Sequence, residues 1–346
     1  MNLPERLKIL LIRGGGIGDI ILTIPALISL KKLMPKCEIT ILSPWSVDDD
    51  SSPIQLLYEL DLIDNHISIP FINKPGLKNY LQLLKIVYSN RNKYQISICL
   101  RHSLRNLISR SLDYLFFRVL LNTRAGIGFW NASELSHLQL SENDTIPMVQ
   151  EYKRLMYILG SEGLEVNTAE TMMPNISDIL SKIKKFDVKI NSVDISKKYV
   201  IICPFGRDNK KKWSLQNYIE LSKILINNGL YIYIIGSEEE RKIGNQIVKS
   251  IGKNSFNLCG KFTLIESVKL FERCALYIGN DTGPMHIAGL LNKPLVALFS
   301  KHSNPGKFYP MGDNNYIIRN EGDSIDNINI SAVLKGINKF LKVKYE

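Results

Sequence analysis

The 346-residue chain has only five cysteines, Cys37, Cys99, Cys203, Cys259 and Cys274, scattered with no CxxC pair. That number and spacing argue against a disulfide framework and against a zinc site, and they fit a reducing cytoplasm. No run approaches the roughly 18 uninterrupted apolar residues that a membrane span needs. The apolar run behind Arg6 and Lys8 is four residues long and ends in a glycine loop, too short for a secretory core. A soluble or peripheral protein is therefore expected. Solenoid repeats and low-complexity tracts are missing as well. Acidic residues are in short supply: 33 Asp and Glu face 44 Lys and Arg, a net charge of +11. Such an excess favours anionic partners, namely nucleotides, phosphorylated glycans, acidic membranes or nucleic acid, without choosing among them. With 45% apolar and 22% charged residues the composition is that of a folded globular protein, and the length suits two domains.

What is present is a rhythm. KILLIR, EITILS and YQISICL read as strands in the first half, and YVIICPF, LYIYIIG, ALYIGN and PLVALFS in the second. Amphipathic stretches between them argue for parallel sheets with crossover helices. In PALISLKKLM, Leu27, Leu30, Leu33 and Met34 form one apolar face and Pro25 suits the first helical turn. Polar text over 165–198 marks a domain junction. Residues 104–121, LRNLISRSLDYLFFRVLL, read as a core helix with a basic edge, with a surface for anionic lipid or a charged acceptor as the alternative.

The stretch IRGGGIGDIILTIPAL sits between the first strand and a helix, yet it fails the dinucleotide fingerprint G-x-G-x-x-G. Gly14, Gly16 and Gly18 are followed by Asp19 where the third glycine would fall, and Pro44 and Trp45 follow EITILS where a ribose-binding carboxylate belongs. The loop instead delivers a carboxylate to the carboxyl end of a strand, where open α/β sheets bind ligands. Asp19 is thus a candidate catalytic base. The alternative is a cap on a helix beginning at Ile20.

In the second half, IGNDTGPMH places Asn280, Asp281, Thr282 and Gly283 at the N-terminus of a helix starting near Pro284, a natural anion site, with His286 in its first turn. GRDNKKKW carries Arg207, Lys210, Lys211 and Lys212 after another strand, ahead of a helix opened by Trp213, and reads as a diphosphate clamp or else a solvated basic loop. Glu238, Glu239 and Glu240 follow a third strand; one of them suits two ribose hydroxyls and the others a helix start. Asp48-Asp49-Asp50 contains a D-x-D, read as a solvated turn rather than a metal site.

These elements in this order, from GDIILTIPALISLKKLMP through GRDNKKKWSLQNYIEL and IGSEEE to CGKFTLIESVKLFERCALYIGNDTGPMHIAGLLNKPLVALFS, resemble glycosyltransferase family 9, the heptosyltransferases of lipopolysaccharide assembly. The resemblance implies an α/β fold of GT-B type: two Rossmann-like domains with parallel sheets facing across a cleft. An acceptor domain is expected over 1–170, a nucleotide-sugar domain over 190–330, and a C-terminal helix within 331–346 returning to the N-terminal domain. The family's catalytic aspartate falls on Asp19, its phosphate-binding lysine on Lys212, its ribose-contacting glutamate on Glu240, and its D-[ST]-G-x-x-H loop on Asp281, Thr282, Gly283 and His286. Gly18 and Arg207 join the expected donor contacts, and Arg101 and Arg105 are the candidate acceptor contacts. Where the family often has an acidic residue in the strand matching YQISICL, this chain has Cys99.

The implied reaction is inverting, metal-independent transfer of a heptose or related sugar. The donor is a nucleotide-diphosphate sugar, ADP-heptose by family default, and the acceptor a lipopolysaccharide core, O-antigen or related glycan. No cofactor, metal or nucleic-acid partner is expected; a monomer in the cytoplasm, or at the cytoplasmic face of the inner membrane, is. A noncatalytic nucleotide- or glycan-binding protein and a GT-B sugar-nucleotide epimerase remain as alternatives.

Overall fold

The computed structural model describes residues 6–69, 77–101, 107–129, 179, 181–183, 193–206, 208–301, 308–320, 322 and 324–344. The chain folds as two compact units, Met1–Asn175 and Ile176–Glu346, so most of the expected junction over 165–198 lies outside the described residues.

The first unit carries β1 (Lys8–Ile12), β2 (Glu38–Ser43), β3 (Asn65–Ser68), β4 (Ile96–Cys99) and β5 (Ala125–Ile127), all parallel in the order β3-β2-β1-β4-β5. In the second lie β6 (Tyr199–Cys203), β7 (Tyr231–Ile234), β8 (Ser255–Asn257), β9 (Leu276–Asn280), β10 (Leu295–Phe299) and β11 (Asn315–Arg319), parallel in the order β11-β10-β9-β6-β7-β8. All seven strands read from the sequence are present. The four that escaped it, β3, β5, β8 and β11, are the four sheet edges. A central strand of a parallel sheet is buried on both faces and must be an apolar run, whereas an edge such as NHIS or SFN is partly solvated and needs none.

Each sheet reverses its strand order once, beside its first strand. Ile12 of β1 stands opposite Cys99 of β4, and Cys203 of β6 opposite Gly279 of β9. At such a reversal the two following loops leave in opposite directions and open a crevice at the carboxyl ends. Asp19 and Arg101 follow β1 and β4; Lys212 and Asp281 follow β6 and β9.

The helices are α1 (Ile17–Ile21), α2 (Ile24–Leu33), α3 (Pro53–Glu59), α4 (Leu77–Ser89) and α5 (Leu107–Tyr114), the last continuing as π-helix over Leu115–Leu120. The second unit adds α6 (Leu215–Asn227), α7 (Arg241–Ile251), α8 (Leu264–Arg273), α9 (Gly283–Leu290) and α10 (Ile330–Ile337). Pro25 lies in the first turn of α2 as expected, but Leu33 is 40% exposed, and the buried face is made by Ile24, Ala26, Leu27 and Leu30. The 104–121 stretch is only partly a core helix: Phe116 and Phe117 are buried while Leu107 and Ile108 are each 72% exposed. The helix near the C-terminus, α10, packs on β10 and β11, and Val333, Leu334 and Ile337 belong to the second unit's core.

One half-buried group gives this fold a pH dependence. His66 on β3 meets the Ser43 hydroxyl at 3.0 Å, and burial holds its ring down to about 4 from an ordinary 6.5. Between those values the unfolded chain binds the proton and the folded chain does not. The contribution is therefore complete above about 6.5, declines as pH falls toward 4, and is constant below that. With screening of a half-exposed ring it amounts to about 1 kcal/mol. Urea midpoints on either side of the window should differ less in His66→Gln than in the parent.

Candidate functional site

In the first unit, the loop after β1 is built around Asp19. The helix begins at Ile17 rather than Ile20, which puts Asp19 at its third position, where Oδ2 accepts the Gly16 N–H at 2.8 Å. Gly15 has φ +115°, and a side chain there would come 2.3 Å from Asp19 Oδ2, so only glycine permits the approach. Trp45, after β2, donates its indole N–H to Gly15 O at 3.1 Å.

Beneath the loop lies Arg13, whose side chain is fully buried. It donates to Leu100 O at the end of β4, to Asp19 O at 3.0 Å, and lies 3.4 Å from Asp19 Oδ1. A buried guanidinium needs a carboxylate and several acceptors, and here they tie both sides of the strand reversal together. One fifth of the Asp19 side chain stays exposed. The carboxylate thus serves the start of the helix while part of it stays open to solvent.

Arg101 follows β4 and pairs with Asp113 of α5 at 2.9 Å. Asp113 is buried, and Cys99 Sγ reaches its Oδ2 at 3.8 Å. A carboxylate from α5 therefore lies beside Cys99 at the end of β4. A side chain at Gly14 would sit 3.9 Å from Arg101 Nε, so this arginine borders the Asp19 loop. Arg105 lies outside the described residues.

In the second unit three loops converge. Asn209–Lys211 form a short 3₁₀ turn capped by Asp208, and the following helix opens at Leu215 with Ser214 as its cap, not at Trp213. Trp213 is instead an anchor: 1% exposed, with its indole N–H donating to Ile328 O at 2.8 Å and its ring edge-on to Tyr218. That anchor sets the place of Lys212. A side chain at Gly206 would lie 3.5 Å from both Lys212 Cγ and Thr282 Cγ2, so the loop after β6, the lysine and the loop after β9 meet at one point. Lys211 pairs with Asp281 at 3.5 Å, which leaves Lys212 as the cation there without a carboxylate partner among the described residues. Arg207 lies outside them.

Thr282 is the N-cap of α9, with Oγ1 donating to Asn280 O at 3.3 Å and no side chain among the described residues capping the helix amides. Ser214 and Thr263, by contrast, cap the helices they precede. An N-terminus left open at a strand reversal is suited to an anion. His286 lies in the first turn of that helix and is 4% exposed, more enclosed than a solvent-facing donor would be. Glu240 precedes α7, and its Oε2 accepts the Ser237 N–H at 2.7 Å; Glu238 pairs with Arg241 and Glu239 is exposed. Gly18 lies inside α1, where its carbonyl accepts from Leu22.

Asn280 holds the convergence together. Fully buried, it donates from Nδ2 to Pro204 O at 3.1 Å and Phe205 O at 3.3 Å, and its Oδ1 accepts from Trp213 N at 3.2 Å and the Tyr218 hydroxyl at 2.9 Å. Removing that side chain leaves four buried polar groups without it. Asn280→Ala is expected to cost about 2 kcal/mol of stability, measured by denaturant titration. Cys203 lies under the same loops, and burial pushes its thiol up to about 12, so it is a packing group and not a nucleophile. Asp49 of the D-x-D run spends Oδ1 on the Ser51 N–H and hydroxyl in an exposed turn.

Comparison with known proteins decides the family. The model of glycosyltransferase family 9 (heptosyltransferase) matches residues 115–336, more than half of the chain. The chain belongs to glycosyltransferase family 9. Its relatives in that family include the lipooligosaccharide heptosyltransferase 2 of Haemophilus ducreyi, 29% identical over 90% of this chain and 88% of that protein. Among solved structures, the Escherichia coli ADP-heptose lipopolysaccharide heptosyltransferase II superposes with a TM-score of 0.69 at 22% identity, covering 96% of this chain and 98% of that one. An E. coli heptosyltransferase solved with ADP gives 0.70 at 15% identity, covering 97% and 100%. This family 9 enzyme therefore has the GT-B fold, made of two Rossmann-like units. Sequence reading passed over Arg13 and Asp113 and gave Asn280 a place at a helix N-terminus without its buried hydrogen-bond network; the signal for Arg13 was a charge ending an otherwise apolar strand.

Proposed function

We propose that this enzyme transfers a heptose or related sugar, with inversion and without a metal ion, from a nucleotide-diphosphate donor to a lipopolysaccharide core, O-antigen or related glycan. ADP-heptose is the first candidate donor, in keeping with relatives described as heptosyltransferases and a neighbour solved with ADP. The observation that carries the reading is the meeting of Lys212, Gly206 and Thr282 beside the open end of α9.

As the anomeric bond breaks, the sugar gains positive and the diphosphate negative charge, while the incoming hydroxyl must lose a proton. Lys212, Arg207, the amides at Thr282 and Gly283, and His286 take the diphosphate, doing by fixed charges what a divalent cation does in other transferases. Asp281 fixes Lys211 behind them, Glu240 takes the ribose, and Gly18 adds a backbone contact to the donor. Asp19, oriented by Gly16 and Arg13, accepts the acceptor's proton, and Arg101 and Arg105 hold the acceptor. We place the reaction at the cytoplasmic face of the inner membrane, where a lipid-linked acceptor is presented.

Thermal unfolding with ADP, GDP and UDP tests the donor side. ADP at about 100 times its Kd should raise Tm by about 5 °C or more, with smaller shifts for the others. No shift with any of them would contradict the donor pocket, and a shift confined to UDP or GDP would replace ADP-heptose as donor.

A further inference from the structure

The first unit leaves an apolar ridge uncovered. On α4, Leu77 (79% exposed), Leu81 (52%), Leu84 (41%) and Tyr88 (78%) stand at i, i+4, i+7 and i+11, a single narrow stripe of the helix. Leu83 and Val87, on another side, are the residues α4 buries in the core. The stripe is therefore additional to what folding uses. Tyr80 stacks on Phe116, and the π-helix that carries Phe116 leaves Leu115 and Val119 uncovered as well. Of the thirteen large apolar residues exposed among the described residues, eight lie on α4 and on the α5 segment with its π-helical continuation. A concentration of this kind on a water-facing surface marks an interaction site.

The charge beside it selects the partner. Lys78 and Lys85, both exposed, border the stripe one step around the helix, and Arg91 and Lys93 follow its end. Residues 77–93 contain no aspartate or glutamate. A second copy of the chain would bring the same cations against these, which disfavours self-association. The α4 helix is 13 residues long, and no described helix is long and apolar enough to cross a membrane, so it suits lying in an interface plane.

We propose that this face docks on an anionic phospholipid bilayer, with Leu77, Leu81, Leu84 and Tyr88 entering the headgroup boundary and Lys78 and Lys85 on lipid phosphates. The proposal rests on the membrane-facing reading above and names the surface that serves it.

The test is co-sedimentation of the full chain, without donor or acceptor, with phosphatidylcholine vesicles containing about 30% phosphatidylglycerol and with pure phosphatidylcholine vesicles. Binding to the anionic vesicles should exceed the other by about tenfold or more. The double substitution Leu81→Glu with Leu84→Glu, and separately Lys78→Gln with Lys85→Gln, should each lower it about tenfold while leaving Tm and the ADP-induced thermal shift unchanged. Failure to bind anionic vesicles, or binding by either variant equal to that of the parent chain, overturns the proposal. So does a large loss of Tm in the leucine variant, which would show that the chain itself covers the ridge. Vesicle binding without a nucleotide shift would refute the transferase reading alone, and a nucleotide shift without vesicle binding would refute the docking surface alone.

Discussion

Asp19→Asn is expected to lower kcat by about 100-fold or more while leaving the Kd for nucleoside diphosphate nearly unchanged. Asparagine keeps the shape of the side chain and an oxygen for the Gly16 N–H, which Asp19 now receives at 2.8 Å, but it cannot take a proton from a hydroxyl at neutral pH. Asp19→Ala should be as inactive and less stable than the asparagine variant, by about 2 kcal/mol, because it also removes the side-chain oxygen that faces the Gly16 N–H and the buried Arg13 guanidinium. The pair of substitutions separates the two roles that one residue carries. Activity retained within a few-fold in the asparagine variant, measured by steady-state kinetics beside calorimetric nucleotide binding, would leave Asp19 as a helix cap only.

Lys212→Ala should reduce kcat/KM for the donor by about 100-fold or more, through both weaker binding and a slower chemical step. The reason is position: Lys212 reaches the point where the β6 and β9 loops touch, with no carboxylate beside it among the described residues. Lys211 is the internal control. One position away, it is held at 3.5 Å by Asp281, so much of its charge is already compensated, and Lys211→Ala should cost only a few-fold. Donor kinetics on the two variants at several salt concentrations decide the matter. Equal, small and strongly salt-dependent losses would mark the GRDNKKK loop as a solvated basic segment.

Much of this architecture is legible in the sequence because the central strands of a doubly covered parallel sheet have little freedom in composition. YVIIC and LVALF are buried at every position, and neither face admits a polar residue. Edge strands escape that constraint, and β3, β5, β8 and β11 went unread for that reason. The site follows a similar division. Glycines, an aspartate and a D-T-G-x-x-H loop at strand ends announce themselves through spacing. The groups that hold them do not, since a buried polar residue is defined by partners far away in the chain. Asn280 bonds to residues 62 to 76 positions distant, and Arg13 to Leu100 across 87. Asp113 is one acidic residue in a stretch with a basic edge, and only the fold sets it on Arg101 and Cys99. The helix at the C-terminus was readable as a helix, but which core receives it is decided by β10 and β11, not by its own period.

In the proposed reaction a sugar leaves a nucleotide diphosphate only when a glycan hydroxyl is there to receive it. The direct measurement is ADP formation from ADP-heptose by the purified enzyme, with and without a panel of truncated lipopolysaccharide cores, together with the mass of the glycan afterwards. ADP release should depend on one of the cores, with a matching gain of one heptose on that core. Conversion of the sugar nucleotide at the same rate without any core, or tight ADP binding with no turnover on any of them, would contradict it.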